Sequence, residues 1–174
     1  MTTVFSLNEP VDLEKIAMSD KFFEYKPLLY SGVVFKLMKP RLGFTIFSSG
    51  KVVCTGGKCL EEISDGVDIL SKHLELVGIS CNKISDPKIC NIVAVTDFYN
   101  SIDVESLALS LNALYEPEQF PAIIYRLKRG KLVSLIFSSG KTIITGARTF
   151  ADVEYGYSEI LKILLEKEQE QQQL

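Results

Sequence analysis

The chain is written twice. Residues 46–58, IFSSGKVVCTGGK, return ninety positions later as IFSSGKTIITGAR at 136–148, and eight of the thirteen aligned residues are identical. The same offset pairs Tyr25 with Tyr115, Pro27 with Pro117, Tyr30 with Phe120, Phe35 with Tyr125, Lys36 with Arg126 and Gly66 with Gly156. Further upstream, VDLEKIAM (Val11 to Met18) answers IDVESLAL (Ile102 to Leu109) at an offset of ninety-one, so a one-residue indel separates the two registers. Two repeats of this length are too few and too large for a solenoid. They read as two halves of one pseudo-symmetric body.

A length of 174 residues suits one ordinary domain or two half-domains sharing a sheet, and the repeat favours the second. The N-terminal MTTVFSLNEP has neither a basic n-region nor a long apolar h-region, and no run of eighteen apolar residues occurs, so neither secretion nor membrane insertion is expected. A net charge of −3 argues weakly against a nucleic-acid role, yet it leaves the distribution open. The basic residues recur in matching places: Lys36, Lys39, Arg41 and Lys51 in the first half, and Arg126, Lys128, Arg129, Lys131 and Lys141 in the second.

Catalytic and metal chemistry find little support. Cys54, Cys59, Cys81 and Cys90 form no C-x-x-C pair and His73 is the single histidine, so no metal site is expected and a reducing compartment fits best. Gly140-Lys141-Thr142 matches only the end of a phosphate-binding loop, because Leu135 stands where that motif needs glycine. No nucleophile–base constellation is present, which excludes the common hydrolase classes. No cofactor is expected.

Each half reads in the same order. A strand (Thr2 to Leu7; Ile89 to Asp97) precedes a short helix (Asp12 to Ser19; Asp103 to Asn112) with an acidic residue at its N-terminus. A brief extended piece and a proline loop follow, then three strands (Val33 to Met38, Leu42 to Phe47, Lys51 to Thr55; Ile123 to Lys128, Leu132 to Phe137, Lys141 to Thr145) joined by hairpin turns. A long helix closes each half, and the tail after Glu166 reads as solvated and frayed. These strands do not alternate cleanly. Leu132, Ser134 and Ile136 can face a helix, but Val133, Leu135 and Phe137 leave a second apolar face with nothing to cover it. Such a face marks an interaction surface, a further core layer or a homodimer interface.

The run YEPEQFPAIIYRL followed by LIFSSGKTIITGA resembles the second repeat of the TATA-box-binding protein family of archaea and eukaryotes, and Glu24 to Lys58 aligns without a gap with that family's first repeat. The resemblance implies an α+β saddle: two direct repeats forming one curved ten-strand antiparallel sheet, with four helices on the convex face. It divides the chain into a first repeat at 1–80, a second at 81–168 and an acidic, glutamine-rich tail at 169–174. It also implies a non-enzymatic general transcription factor. Such a factor binds double-stranded promoter DNA in the minor groove, bends it, and recruits a B-type general transcription factor and the RNA polymerase machinery. The corresponding location is the cytoplasm and nucleoid of an archaeon or the nucleus of a eukaryote; the acidic balance leans to the archaeal type.

Carried over residue by residue, the wedges that kink DNA fall on Tyr30, Phe47, Phe120 and Phe137. Base-edge contacts fall on Asn91, Thr55 and Thr145, the apolar floor on Val53, Val93, Val133, Leu135 and Ile143, and phosphate contacts on Lys36 and Arg126. The loop for the B-type factor falls on Glu116, Glu118 and Gln119. The first half departs from the pattern: its counterpart of Asn91 would fall just before Met1, Tyr30 replaces a phenylalanine, and Gly43 and Thr45 thin the floor. An impaired first half is therefore expected. Two alternatives stand beside the main reading: a paralogue with weak or factor-dependent DNA binding that acts through protein partners, and a homodimer that buries the apolar face when free of DNA.

Overall fold

The computed structural model describes residues 1–81, 83–98 and 101–172. In chain order the elements are β1 (Thr2–Ser6), α1 (Leu13–Ser19), β2 (Phe23–Glu24), β3 (Gly32–Met38), β4 (Arg41–Phe47), β5 (Lys51–Thr55), α2 (Leu60–Leu76), β6 (Lys88–Asp97), α3 (Val104–Leu111), β7 (Leu114–Glu116), β8 (Phe120–Arg126), β9 (Val133–Phe137), β10 (Lys141–Ala147) and α4 (Phe150–Gln172). The class is α+β, with the strands in one sheet ordered β2-β3-β4-β5-β1-β6-β10-β9-β8-β7. The chain forms two compact units, Met1–Cys90 and Asn91–Leu174.

Within each unit the turn residues direct the pairing. The Ser-Ser-Gly triplets close the β4–β5 and β9–β10 hairpins, with Gly50 N–H donating to Phe47 O at 2.9 Å and Gly140 N–H to Phe137 O at 3.0 Å. The same turns receive the chain a second time. Leu7 N–H reaches Gly50 O and Val11 N–H reaches Ser48 O in the first unit; Phe98 reaches Gly140 O and Ile102 reaches Ser138 O in the second. Each short helix then starts on its aspartate. Asp12 accepts from Glu14 and Lys15 N–H at 3.0 and 3.1 Å, and Asp103 from Ser106 N–H at 3.1 Å. A cap of this kind stabilises a helix by about 1 kcal/mol.

The long helices cover one face of each unit's sheet. In the first unit Phe35, Phe44, Ile46, Leu70 and Leu74 are fully buried, and the Phe35 and Phe44 rings meet at 6.1 Å. In the second, Ile123, Ile136, Leu107 and Ile160 form the centre of the core. Cys54 lies buried in the first core, and burial pushes its thiol up to about 11. It is a small apolar residue rather than a reactive one.

Two segments differ from the sequence reading for identifiable reasons. Helix α4 continues through the expected frayed tail to Gln172, because residues 166–172 contain only good helix formers and Lys162–Glu166 and Lys167–Glu170 are spaced to pair along it. Residues 173 and 174 of that tail lie outside the described residues. The compact units divide after Cys90 rather than residue 80, because Ile79, Cys81 and Ile84 pack onto the first core.

Candidate nucleic-acid interface

In the second unit, strand parity separates two apolar sets. Leu132, Ser134 and Ile136 are 2% exposed or less, facing the helices, while Val133, Leu135 and Phe137 are half-buried on the opposite side. Cross-strand register extends that open side. Leu135 lies between Ile124 and Ile143, Ile143 faces Val95, and Val133 lies between Arg126 and Thr145. Val93 and Val95 are more than half exposed. The result is a strip of aliphatic side chains with a cation at its margin, arranged by the two-residue period of the strands.

One end of the strip carries an aromatic pair. Phe120 and Phe137 meet edge to face with ring centroids 6.0 Å apart, and Phe120 remains 38% exposed. Each ring fixes the other, so an apolar edge stands ready without a rotamer search.

At the other end, Asn91 and Thr145 come together at a bulge. The β10 register shifts between Ile144 and Ala147, and Gly146 takes a φ of +87° there. A Cβ on Gly146 would lie 2.2 Å from Lys131 O, so only glycine fits. Gly146 N–H donates to Asn91 Oδ1 at 2.9 Å, and Asn91 Nδ2 points to Thr145 Oγ1 at 3.5 Å. The peptide N–H fixes the orientation of the amide, since only its oxygen can accept.

The first unit repeats the scaffold with different side chains. Gly43 lies between Lys36 and Thr55, and Thr45 between Val34 and Val53, so hydrogen and a hydroxyl stand where Val133 and Leu135 supply hydrocarbon. Thr55 donates its hydroxyl to Gly43 O at 3.3 Å. Lys36 is exposed on the same face. Tyr30 is 51% exposed, and among the described residues no ring contact joins it to Phe47. Register places Val4 opposite Val53 as Val95 lies opposite Ile143, so Met1 stands where Ile92 stands.

The loops before the wedges differ in charge. Glu116, Glu118 and Gln119 are exposed on a turn closed by Gln119 N–H to Glu116 O at 2.9 Å. The counterpart is Lys26, Leu28 and Leu29, with Leu28 98% exposed and Lys26 ion-paired to Glu24, whose carboxyl that pairing holds below its usual range.

The structure adds Val4, Val34, Val95 and Ile124 to the strip named from sequence. The signal for Val95 was present in the run Ile92-Val93-Ala94-Val95, apolar at both parities of one strand. Among the described residues no cluster of three metal-ligating side chains occurs, and no helix is long and apolar enough to cross a membrane.

Comparison with known proteins points in one direction. The family model described as transcription factor TFIID, or TATA-binding protein, matches residues 1–77 and 86–167. The TATA-box-binding protein of Picrophilus torridus is 38% identical over 162 residues, covering 91% of this chain and 88% of that protein. That of Archaeoglobus fulgidus is 40% identical over 149 residues, covering 84% and 81%. The solved structure of the Methanococcus jannaschii TBP superposes with a TM-score of 0.84 at 36% identity, covering 95% of each chain.

Proposed function

The chain belongs to the TATA-binding protein family, a family of non-enzymatic transcription factors, and we propose that it binds A·T-rich promoter DNA in the minor groove and bends it. In this reading it then recruits a B-type general factor and RNA polymerase. The observation that carries the proposal is the uncovered aliphatic strip of the second unit, from Val95 through Ile143 and Leu135 to Ile124, ending at the Phe120–Phe137 pair.

The chemistry follows from what the strip lacks. Side chains without donors or acceptors cannot complement the amino group that guanine places in the minor groove, so burying a G·C pair there leaves a donor unpaired at a cost of about 1–3 kcal/mol. A·T pairs present only acceptors, which Asn91 Nδ2 and Thr145 Oγ1 can approach. The aromatic pair partly unstacks a base step, costing a few kcal/mol that wider contact offsets. Lys36 and Arg126 fix the position through phosphates. Glu116, Glu118 and Gln119 present the acidic turn to the B-type factor. Its first-unit counterpart is basic and apolar, so a cationic partner has one docking end and not two. This reading implies a nucleoid-associated protein.

A second reading, factor-dependent binding by a specialised paralogue, is favoured by Gly43 and Thr45 in the first unit's strip. Titration of an A·T-rich promoter duplex carrying donor and acceptor dyes at its ends separates the two. A bend with protein alone supports the primary reading. A bend only with the B-type factor supports the second, and a stable dimer that binds no duplex in either case would sink both.

A further inference from the structure

The two units build the same strip with different chemistry at its centre. In the second unit Leu135 sits between Ile124 and Ile143, and in the first the equivalent seat between Val34 and Val53 is filled by Thr45. Burial alternates along β4, so Gly43, Thr45 and Phe47 share the open side while Leu42, Phe44 and Ile46 face the core. A hydroxyl therefore stands in the middle of the first unit's strip.

The threonines that end the two strips differ in polarity. Thr55 and Thr145 are mates at the ninety-residue offset, Thr55 paired with Gly43 and Thr145 with Val133. Thr55 donates its hydroxyl hydrogen to Gly43 O at 3.3 Å, which leaves the lone pairs of its oxygen to face outward. Thr145 Oγ1 instead lies 3.5 Å from Asn91 Nδ2 and accepts from it, which leaves its own hydrogen to offer. Space follows the same division. A Cβ on Gly43 would come within 3.3 Å of Thr55 Oγ1, so the missing side chain keeps that oxygen open. Gly43 and Thr55 line a recess of about 530 Å³, with Lys36, Arg41 and Lys58 around it. In the second unit Val133 stands in Gly43's place.

In the minor groove an A·T pair shows only acceptors, and a G·C pair adds the guanine 2-amino group, which is a donor and extra bulk. The second unit meets that group with hydrocarbon and hydrogens, the first with acceptor oxygens and free volume. We propose that the first unit tolerates G·C pairs, with Thr45 and Thr55 determining that tolerance, so that strictness for A·T resides in the second unit. This inference deepens the reading of the strips as a minor-groove surface and rests on it.

The test replaces one A·T pair at a time by G·C along an A·T-rich promoter duplex and measures each duplex by competition binding to the full chain. Affinity is expected to fall by less than about threefold at positions toward one end of the site and by at least about tenfold toward the other. Thr45→Leu combined with Thr55→Val should impose the larger loss at both ends, whereas Thr45→Ser, which keeps the hydroxyl, should retain the tolerance. Thr45→Val, which exchanges only the hydroxyl for a methyl, supplies the same reading if the double variant does not fold. Equal losses along the whole site, or a tolerance that survives removal of the hydroxyls, overturn this inference and leave the minor-groove reading standing. Failure of the unsubstituted duplex to bind overturns both.

Discussion

A single amide decides what the proposed interface can accept. Asn91 Oδ1 is engaged by Gly146 N–H, so the side chain offers only hydrogens outward, and these suit acceptor-only base edges. The wedges are the other residues on which function turns. Among the described residues Phe137 has a partner ring and Tyr30 has none, so the two aromatic positions should not be equivalent. Phe137→Ala is expected to abolish bending and weaken promoter binding by at least about tenfold, while Tyr30→Ala causes a smaller loss; energy transfer across the duplex measures both. Equal losses would contradict the functional asymmetry of the halves. Backbone geometry at the bulge can be tested separately. Gly146→Ala forces a Cβ against Lys131 O and should unfold the second unit or lower its melting temperature severely, whereas Gly130→Ala, φ +67° with nothing within 4 Å, should cost only about 1–2 kcal/mol by thermal denaturation.

Elements are held together by a few polar links, and one reports on pH. His73 of α2 donates its Nδ1–H to Asp20 Oδ2 at 2.9 Å, joining the end of α1 to the long helix, with Phe22, Phe23 and Phe35 ringing the imidazole. That hydrogen bond, with a second from Phe22 N–H, holds the Asp20 carboxyl below its ordinary range. A depressed carboxylate stabilises the fold above its unfolded value, and the contribution is lost as pH falls through the folded value, below about pH 4. Melting temperatures measured from pH 6 down to pH 2.5 should therefore fall less steeply for Asp20→Asn than for the parent chain. Most elements were legible from sequence because apolar period, acidic caps and turn residues agreed twice over. What escaped was decided by tertiary packing or by cooperative length. Strand β8 starts and ends earlier than expected, β10 runs on to Ala147, α4 absorbs the tail, and the segment after Gly78 joins the first core. The uncovered strip was readable because Val133, Leu135 and Phe137 broke the alternation; Val95 and Ile124 needed cross-strand register, which no single segment encodes.

At the scale of the molecule, charge must be local for a chain of net charge −3 to hold a polyanion. Lys36 and Arg126 lie on the open faces while the acidic residues gather on α2 and α4. Affinity should fall steeply with salt, and Arg126→Ala should reduce the magnitude of the slope of log K against log salt by about one, with little change in sequence preference. Competition binding on matched and G·C-substituted duplexes at several salt concentrations reads both quantities. The bulge that orients Asn91 has a further consequence at this scale. In the minor groove A·T and T·A look alike, so a protein with identical halves would lie equally well either way round on a run of such pairs. Among the described residues the matched ring pair and the acidic turn lie in the same half as the oriented Asn91, and the first half carries Tyr30 without a partner ring and Lys26, Leu28 and Leu29 in their place. On the proposed interface, that lopsidedness supplies a compass, distinguishing upstream from downstream before a polymerase arrives.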